Sequence, residues 1–316
     1  VVASVSNGTL DGTDTVSAIG GVVTFTDLGL TATAGSKTLT FSSSPLTAVS
    51  QSILAVTGAP SQLRIDVAGS LINNTVFATQ PVVTLLDATG NVVSVGGYAA
   101  QTVTLSSPDS TIGGTVSMQS NAGVANFTGK GVKLTGLVGS KTLTATITSG
   151  NGFAKDTAIT LTYGAATKLA LTTEPTGFVN RTLYATQPVV TVQDVSGNTV
   201  ANSSISIDVT IDSGDVTGTT RVGAVNGVAT FAGLGKAGTI GAKTLTFSDA
   251  AGALTVATKQ FTLTHGAAHH TSLAVASTLA NNTAFATQPV VTIYDQDDNV
   301  VTSGSQSSQT VTLSAT

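Results

Sequence analysis

Along much of the chain, apolar and hydroxyl-bearing residues alternate with a period of two. Thr142, Thr144, Thr146 and Thr148 interleave with Leu143, Ala145 and Ile147, and Thr160 and Thr162 interleave with Ile159, Leu161 and Tyr163. After Pro188 one face carries Val190 and Val192, and the other carries Val189, Thr191 and Gln193. Successive side chains of a strand point to opposite faces, so this pattern predicts antiparallel sheets with one apolar face and one solvated face. The segments Asp87-Ala-Thr-Gly90-Asn91, Asp194-Val-Ser-Gly197-Asn198 and Asp295-Gln-Asp297-Asp298-Asn299 each follow such a strand. Asp caps its own turn through its side chain, and Gly or Asn accepts positive φ, so each segment is predicted to be a hairpin turn.

The pattern recurs. The string Ala-Thr-Gln-Pro-Val-Val-Thr occurs at 78–84, 185–191 and 286–292, with its prolines at Pro81, Pro188 and Pro289. Lys-Thr-Leu-Thr begins at Lys37, Lys141 and Lys243, and Phe25, Phe127 and Phe231 each lie four residues after a glycine. A period of roughly 100 residues is the size of one β-sandwich, with about seven strands in each. The expected division is 1–59, the second half of a repeat; 60–166 and 167–270, two complete repeats; and 271–316, the first half of a repeat. The joints fall at Gly58-Ala-Pro60, Gly164-Ala-Ala166 and Gly266-Ala-Ala268. Joints of a few residues restrict relative motion, which predicts a semi-rigid, rod-like array. Val311-Thr312-Leu313 corresponds to Val103-Thr104-Leu105, and residues 1–6 share almost that phase. The expectation is that the two half-repeats complete each other, within a longer array or between neighbouring copies.

Composition sharpens this reading. Charged residues make up only 9% of the 316, Glu174 is the sole glutamate, and Thr is close to a fifth of the chain. Helix formers are scarce and strand formers abundant, so the expected class is all-β. No run of apolar residues is long enough for a transmembrane helix. A net charge of −4 without a basic cluster argues against a nucleic-acid partner. Cysteine is absent, which excludes disulfide and thiolate chemistry. A weakly charged, hydroxyl-rich surface favours association, head-to-tail and laterally.

The string from Ala185 to Asp194, with Gly197-Asn198, Asn226-Gly227-Val-Ala-Thr-Phe231 and Lys243-Thr-Leu-Thr, resembles the bacterial Ig-like tandem repeats of large cell-surface proteins of the invasin and intimin type. The resemblance implies tandem Ig-like sandwiches outside the cell, acting as spacers and building blocks, and it transfers no catalytic residue. The expected function is structural and non-enzymatic: an extracellular stalk, filament or surface layer. The alternative is an adhesin that binds a glycan or a host protein through sandwich loops, with Tyr98, Tyr163, Tyr184 and Tyr294 as the few aromatic candidates. A more distant reading is an accessory module of a secreted hydrolase.

Candidate chemistry is sparse. No metalloprotease, phosphate-loop or nucleophile motif is present. His265, His269 and His270 at one joint offer imidazoles for Zn²⁺ or Ni²⁺, but a polar joint is the simpler reading. Asp295, Asp297 and Asn299 offer oxygens suited to calcium, although turn chemistry alone accounts for Asp295 and Asn299, which recur in the other repeats. No cofactor is otherwise expected. Asn73, Asn180 and Asn281 head Asn-x-Thr sequons eight residues before the repeated prolines, which predicts an exposed, glycosylatable loop. Lys37, Lys141 and Lys243 are considered for isopeptide crosslinks and expected to be solvated.

Overall fold

The computed structural model describes residues 1–147, 152–312 and 314, so Thr148 and Leu313 of the patterns above lie outside the described residues. The chain forms two compact units, Val1–Thr162 and Tyr163–Thr316. Both are all-β. Among the described residues the only helix is a single 3₁₀ turn, Ser305–Ser308, and no helix is long and apolar enough to cross a membrane.

The first unit holds a two-sheet sandwich. One sheet runs Ser117–Gln119, Thr102–Ser106, Gly139–Ile147, Phe153–Thr162, Ser70–Ile72; the other runs Val124–Asn126, Val82–Leu86, Gln62–Asp66. Neighbours are antiparallel except Ser70–Ile72, which lies parallel to Phe153–Thr162. The chain therefore leaves one sheet after Asp66 and joins the other at Ser70, an Ig-like arrangement. Leu63, Val83, Leu85 and Ala125 of the smaller sheet meet Val103, Leu105, Leu143, Ala145, Ile147, Ile159 and Leu161 of the larger in one core. Residues 1–59 add Val2–Val5, Gly35–Ser42 and Val49–Ala55 as a three-stranded sheet. There Ala3 is buried, while Ile19, Leu46, Val49 and Leu54 stay exposed.

The second unit repeats the plan. Lys168–Thr173, Val189–Gln193 and Val228–Thr230 face a sheet of Arg221–Gly223, Ser206–Ile211, Gly241–Asp249 and Ala257–Leu263. Phe231 and Phe247 meet at 5.5 Å between centroids in this core, tilted by 63°. A small sheet, Thr182–Leu183, Gly235–Lys236 and Val216–Thr217, flanks it. His270–Ala274 pairs antiparallel with Val290–Tyr294.

Alternation locates the inward residues correctly: Leu143, Ala145, Ile147, Ile159 and Leu161 are all buried. Three expectations need correction. The outer face of the first two proline strands is covered, since Thr84 and Thr191 are buried; Thr191 shares a 3.0 Å hydrogen bond with the Thr172 hydroxyl on the neighbouring strand. Lys37 is likewise buried, its ammonium 3.3 Å from Thr33 Oγ1. Among the described residues, 60–166 carry ten strand segments rather than seven, because several are three-residue pieces split by turns.

The repeated glutamine has a structural purpose. Gln187 Nε2 donates to Tyr184 O and Leu234 O, and its Oε1 accepts Leu234 N–H at 2.8 Å. Gln80 makes the same three bonds with Phe77 and Val132. One amide thus staples the turn before the proline strand to a distant loop. Replacing Gln187 by leucine leaves the Leu234 peptide without these partners and is expected to cost roughly 1–3 kcal/mol, read as a lower denaturant midpoint with an unchanged slope.

Candidate functional site

The feature that recurs at every joint is a buried carboxylate. Asp194 accepts Ser196 N–H at 2.9 Å and Asn198 N–H at 3.0 Å within its own turn, the Asn198 side-chain amide, and Gly164 N–H at 2.9 Å from the joint thirty residues earlier. Asp295 repeats this with Asp297 N–H, Asn299 N–H, the Asn299 amide and Gly266 N–H. Asp87 does so with Thr89 N–H, Asn91 N–H, the Asn91 amide and Gly58 N–H. The expected Asx turn is present, but its acceptor does more than cap a hairpin: it pins the joint to the turn. The positive-φ residue is Gly90, Gly197 or Asp298, not the asparagine. The asparagine instead uses its side chain.

That side chain also reaches the preceding repeat. Asn299 Oδ1 accepts Ile240 N–H at 3.1 Å and Nδ2 donates to Gly238 O at 3.0 Å. Asn91 makes the matching contacts with Ala34 N–H and Ala32 O. Ala32 and Ala34 stand in the same phase before Lys37 as Gly238 and Ile240 before Lys243. The same clip therefore joins successive repeats inside each unit.

The sequons are resolved by the same geometry. Asn73 and Asn180 are 2% and 1% exposed, so the expectation of a glycosylatable loop is corrected at both positions; Asn281 is exposed. Asn180 Nδ2 donates to Asp295 and Asp297 at 2.8 Å, and its Oδ1 accepts Gly238 N–H at 2.9 Å. Asn73 Oδ1 accepts Gly136 N–H at 2.9 Å. The next residue, Asn74, Arg181 or Asn282, has φ of 60°, 60° or 61°. The Thr hydroxyl then donates to the carbonyl three residues back, from Thr75 to Ile72, Thr182 to Val179 and Thr283 to Ala280. An Asn-x-Thr string here encodes a left-handed turn, with the asparagine amide buried at Asn73 and Asn180.

The extra carboxylate of the third turn is likewise accounted for. Arg181 donates from Nε and Nη2 to Asp297 at 2.7 and 2.6 Å. Thr89 and Ser196 occupy the place of Asp297 in the other turns, and Asn74 and Asn282 the place of Arg181. Asp295, Asp297 and Asn299 thus direct their oxygens at N–H donors, and among the described residues no group of three His, Asp or Glu is placed to hold a metal. Of the three histidines only His269 and His270 approach each other, Nδ1 to Nδ1 at 3.4 Å. His265 faces Gly266 O and Ser303 Oγ, whereas His270 stacks on Tyr294 at 5.5 Å and lies 3.0 Å from Asp298.

Burial alone would raise the Asp295 carboxyl. Donors from Gly266, Asn180 and Asn299 outweigh it and hold the group well below the usual carboxylate range. Asp87 is lowered by the same balance. The Arg181 hydrogen bond brings Asp297 down to about 2, against a smaller opposing effect of burial. A carboxyl depressed on folding stabilises fully above its unfolded pKa, and that stabilisation fades as pH falls through the folded value. The joint amides of Gly266 and Asn299 should therefore hold their NMR positions from about pH 7 down through the ordinary carboxylate range near pH 4, and shift only at still lower pH. In Arg181→Ala the Asp297 carboxyl should titrate nearer the ordinary range, at a stability cost of no more than about 1 kcal/mol for so exposed a pair.

Sequence reasoning missed the reach of these groups across the joints, and missed Arg181 altogether. A signal was available: Arg181 and Asp297 both depart from the repeat pattern, and they meet.

No family model matches the chain, and no curated relative does. Solved structures with similar folds include the D0–D1 domain of intimin, 16% identical with a TM-score of 0.24, covering 65% of this chain and 98% of that one. The fibronectin(III)-like modules of Clostridium thermocellum CbhA are 12% identical with a TM-score of 0.22, covering 66% and 98%. Bacteroides uniformis β-glucuronidase 3 is 15% identical with a TM-score of 0.22, covering 64% of this chain and 25% of that one. The chain spans about a quarter of the length of that glycosidase, and at these scores the likenesses carry no functional weight.

Proposed function

We propose that the chain is a non-enzymatic structural protein of the cell exterior, in which Ig-like sandwiches follow one another in series as part of a stalk, filament or surface layer. The division at 59/60, 166/167 and 270/271 belongs to this proposal, as does self-association. One observation carries it: the same buried aspartate seizes the same joint glycine in all three repeats, Gly58 to Asp87, Gly164 to Asp194 and Gly266 to Asp295. Ordering a joint costs conformational entropy, about 1–2 kcal/mol for each fixed residue, and a chain that needed freely swinging domains would gain nothing from it. Antibody against the protein should label intact cells of its source, and negative-stain images of the released material should show filaments or sheets. Protein confined to the interior of intact cells would refute the proposal.

A further inference from the structure

One lysine breaks the apolar pattern of the repeats. Arg181 N–H donates to Lys236 O and Tyr184 N–H to Leu234 O, just as Asn74 N–H donates to Leu134 O and Phe77 N–H to Val132 O. Lys236 therefore stands where the preceding repeat has Leu134, a fully buried core residue. The strand pairing agrees: Lys236 faces Val216, Leu134 faces Ile112, and Leu30 faces Leu10. Yet Lys236 is only 4% exposed. Its ammonium donates to Ala237 O, and among the described residues no carboxylate oxygen lies within ion-pair distance of it. An ammonium has three donors, and a buried charge without a counter-charge is costly where leucine would serve.

The ammonium borders a cavity of about 450 Å³. Lys243, Ser213, Thr217, Thr239 and the carboxylate-bearing Asp215 line it as well, and of these only Lys243 is half-buried, the others being exposed. Lys243 Nζ lies 2.7 Å from Ser213 Oγ. The wall beside Lys236 is glycine: a Cβ on Gly214 would sit 2.7 Å from Lys236 Nζ. The site thus combines two cations, hydroxyls and room for a small molecule, within the roughly 300–1,000 Å³ usual for ligand sites.

We propose that this cavity binds an oxyanion, a carboxylate or sulfate group, free or carried on a sugar. The ligand's oxygens supply the acceptors that Lys236 lacks, Lys243 adds a second positive charge, and the hydroxyls of Ser213, Thr217 and Thr239 donate to the rest. The inference stands independently of the structural role proposed above.

The test is an amide NMR titration of the full chain with sodium sulfate, sodium glucuronate and glucose, at ionic strength held constant with sodium chloride. Saturable shifts centred on 213–217 and 236–243 are expected with sulfate or glucuronate and not with glucose. Saturation by glucuronate alone identifies a sugar acid, and saturation by sulfate identifies the bare oxyanion. Lys236→Leu, which restores the residue of the other repeats, should fold at least as stably and bind at least about tenfold more weakly. Lys243→Gln should weaken binding without touching the core, and Asp215→Asn should tighten it. Equal response to glucose and glucuronate, no saturable shift with either anion, or unchanged affinity in both lysine variants would overturn the proposal.

Discussion

Replacing Asp194 by alanine is expected to destabilise the second unit by roughly 3 kcal/mol or more. The carboxylate is fully buried and accepts the backbone N–H groups of Gly164, Ser196 and Asn198 together with the Asn198 amide. Alanine leaves all of these donors without their acceptor. A single buried donor without a partner costs about 1–3 kcal/mol, and a small part of the total returns when the turn relaxes toward solvent. Asp194→Asn keeps one acceptor oxygen but turns an NH₂ group toward N–H donors, so its cost should be intermediate. Thermal and denaturant unfolding of the three proteins checks the order: wild type most stable, then asparagine, then alanine.

Gly218→Ala should be comparably damaging for a different reason. Gly218 has φ of +96°, and a Cβ there would lie 1.9 Å from Gly233 O. The backbone conformation alone costs of order 1–3 kcal/mol for a residue with a side chain. The clash cannot be relieved by rotating a side chain, because the obstacle is a peptide oxygen. Gly233 precedes Leu234, which is fully buried and bonded to Tyr184 and Gln187. Moving it disturbs the core, and the expected loss is roughly 3 kcal/mol or more. Gly223→Ala is the control: a Cβ there meets nothing within 4 Å, so its unfolding midpoint should match wild type within error. Gly12 and Gly114 are positioned like Gly218, each with a carbonyl oxygen 2.2–2.3 Å from the hypothetical Cβ, so the constraint belongs to the repeat.

The fold was legible because its signal is one-dimensional. Alternation of Leu143, Ala145 and Ile147 with threonines states which residues face inward, and repetition of Pro81, Pro188 and Pro289 states how often the plan recurs. The joints were only half legible. The Asp-to-Asn turn announced itself through its residue types, but the partners of Asp194 and Asp295 lie some thirty residues upstream, and those of Asn299 about sixty, at distances no local pattern encodes. Asn73 and Asn180 misled for a physical reason: Asn-x-Thr is also what a left-handed turn with a buried amide and a hydroxyl cap requires. Lys236 was invisible because its place in the core emerges only from the register that sets it against Leu134. Arg181 and Asp297 were visible as departures from the pattern, and only their meeting gives them meaning.

The central claim is that a buried aspartate holds each joint. Amide hydrogen exchange at Gly58, Gly164 and Gly266 tests it most directly. Each of these N–H groups donates to a carboxylate, Asp87, Asp194 or Asp295 respectively, so all three should exchange slowly at neutral pH, and each should lose its protection when its own aspartate, and not another, is replaced by alanine. Exchange at the rate of an unstructured glycine in the unmodified protein, or protection that survives the cognate substitution, would contradict it.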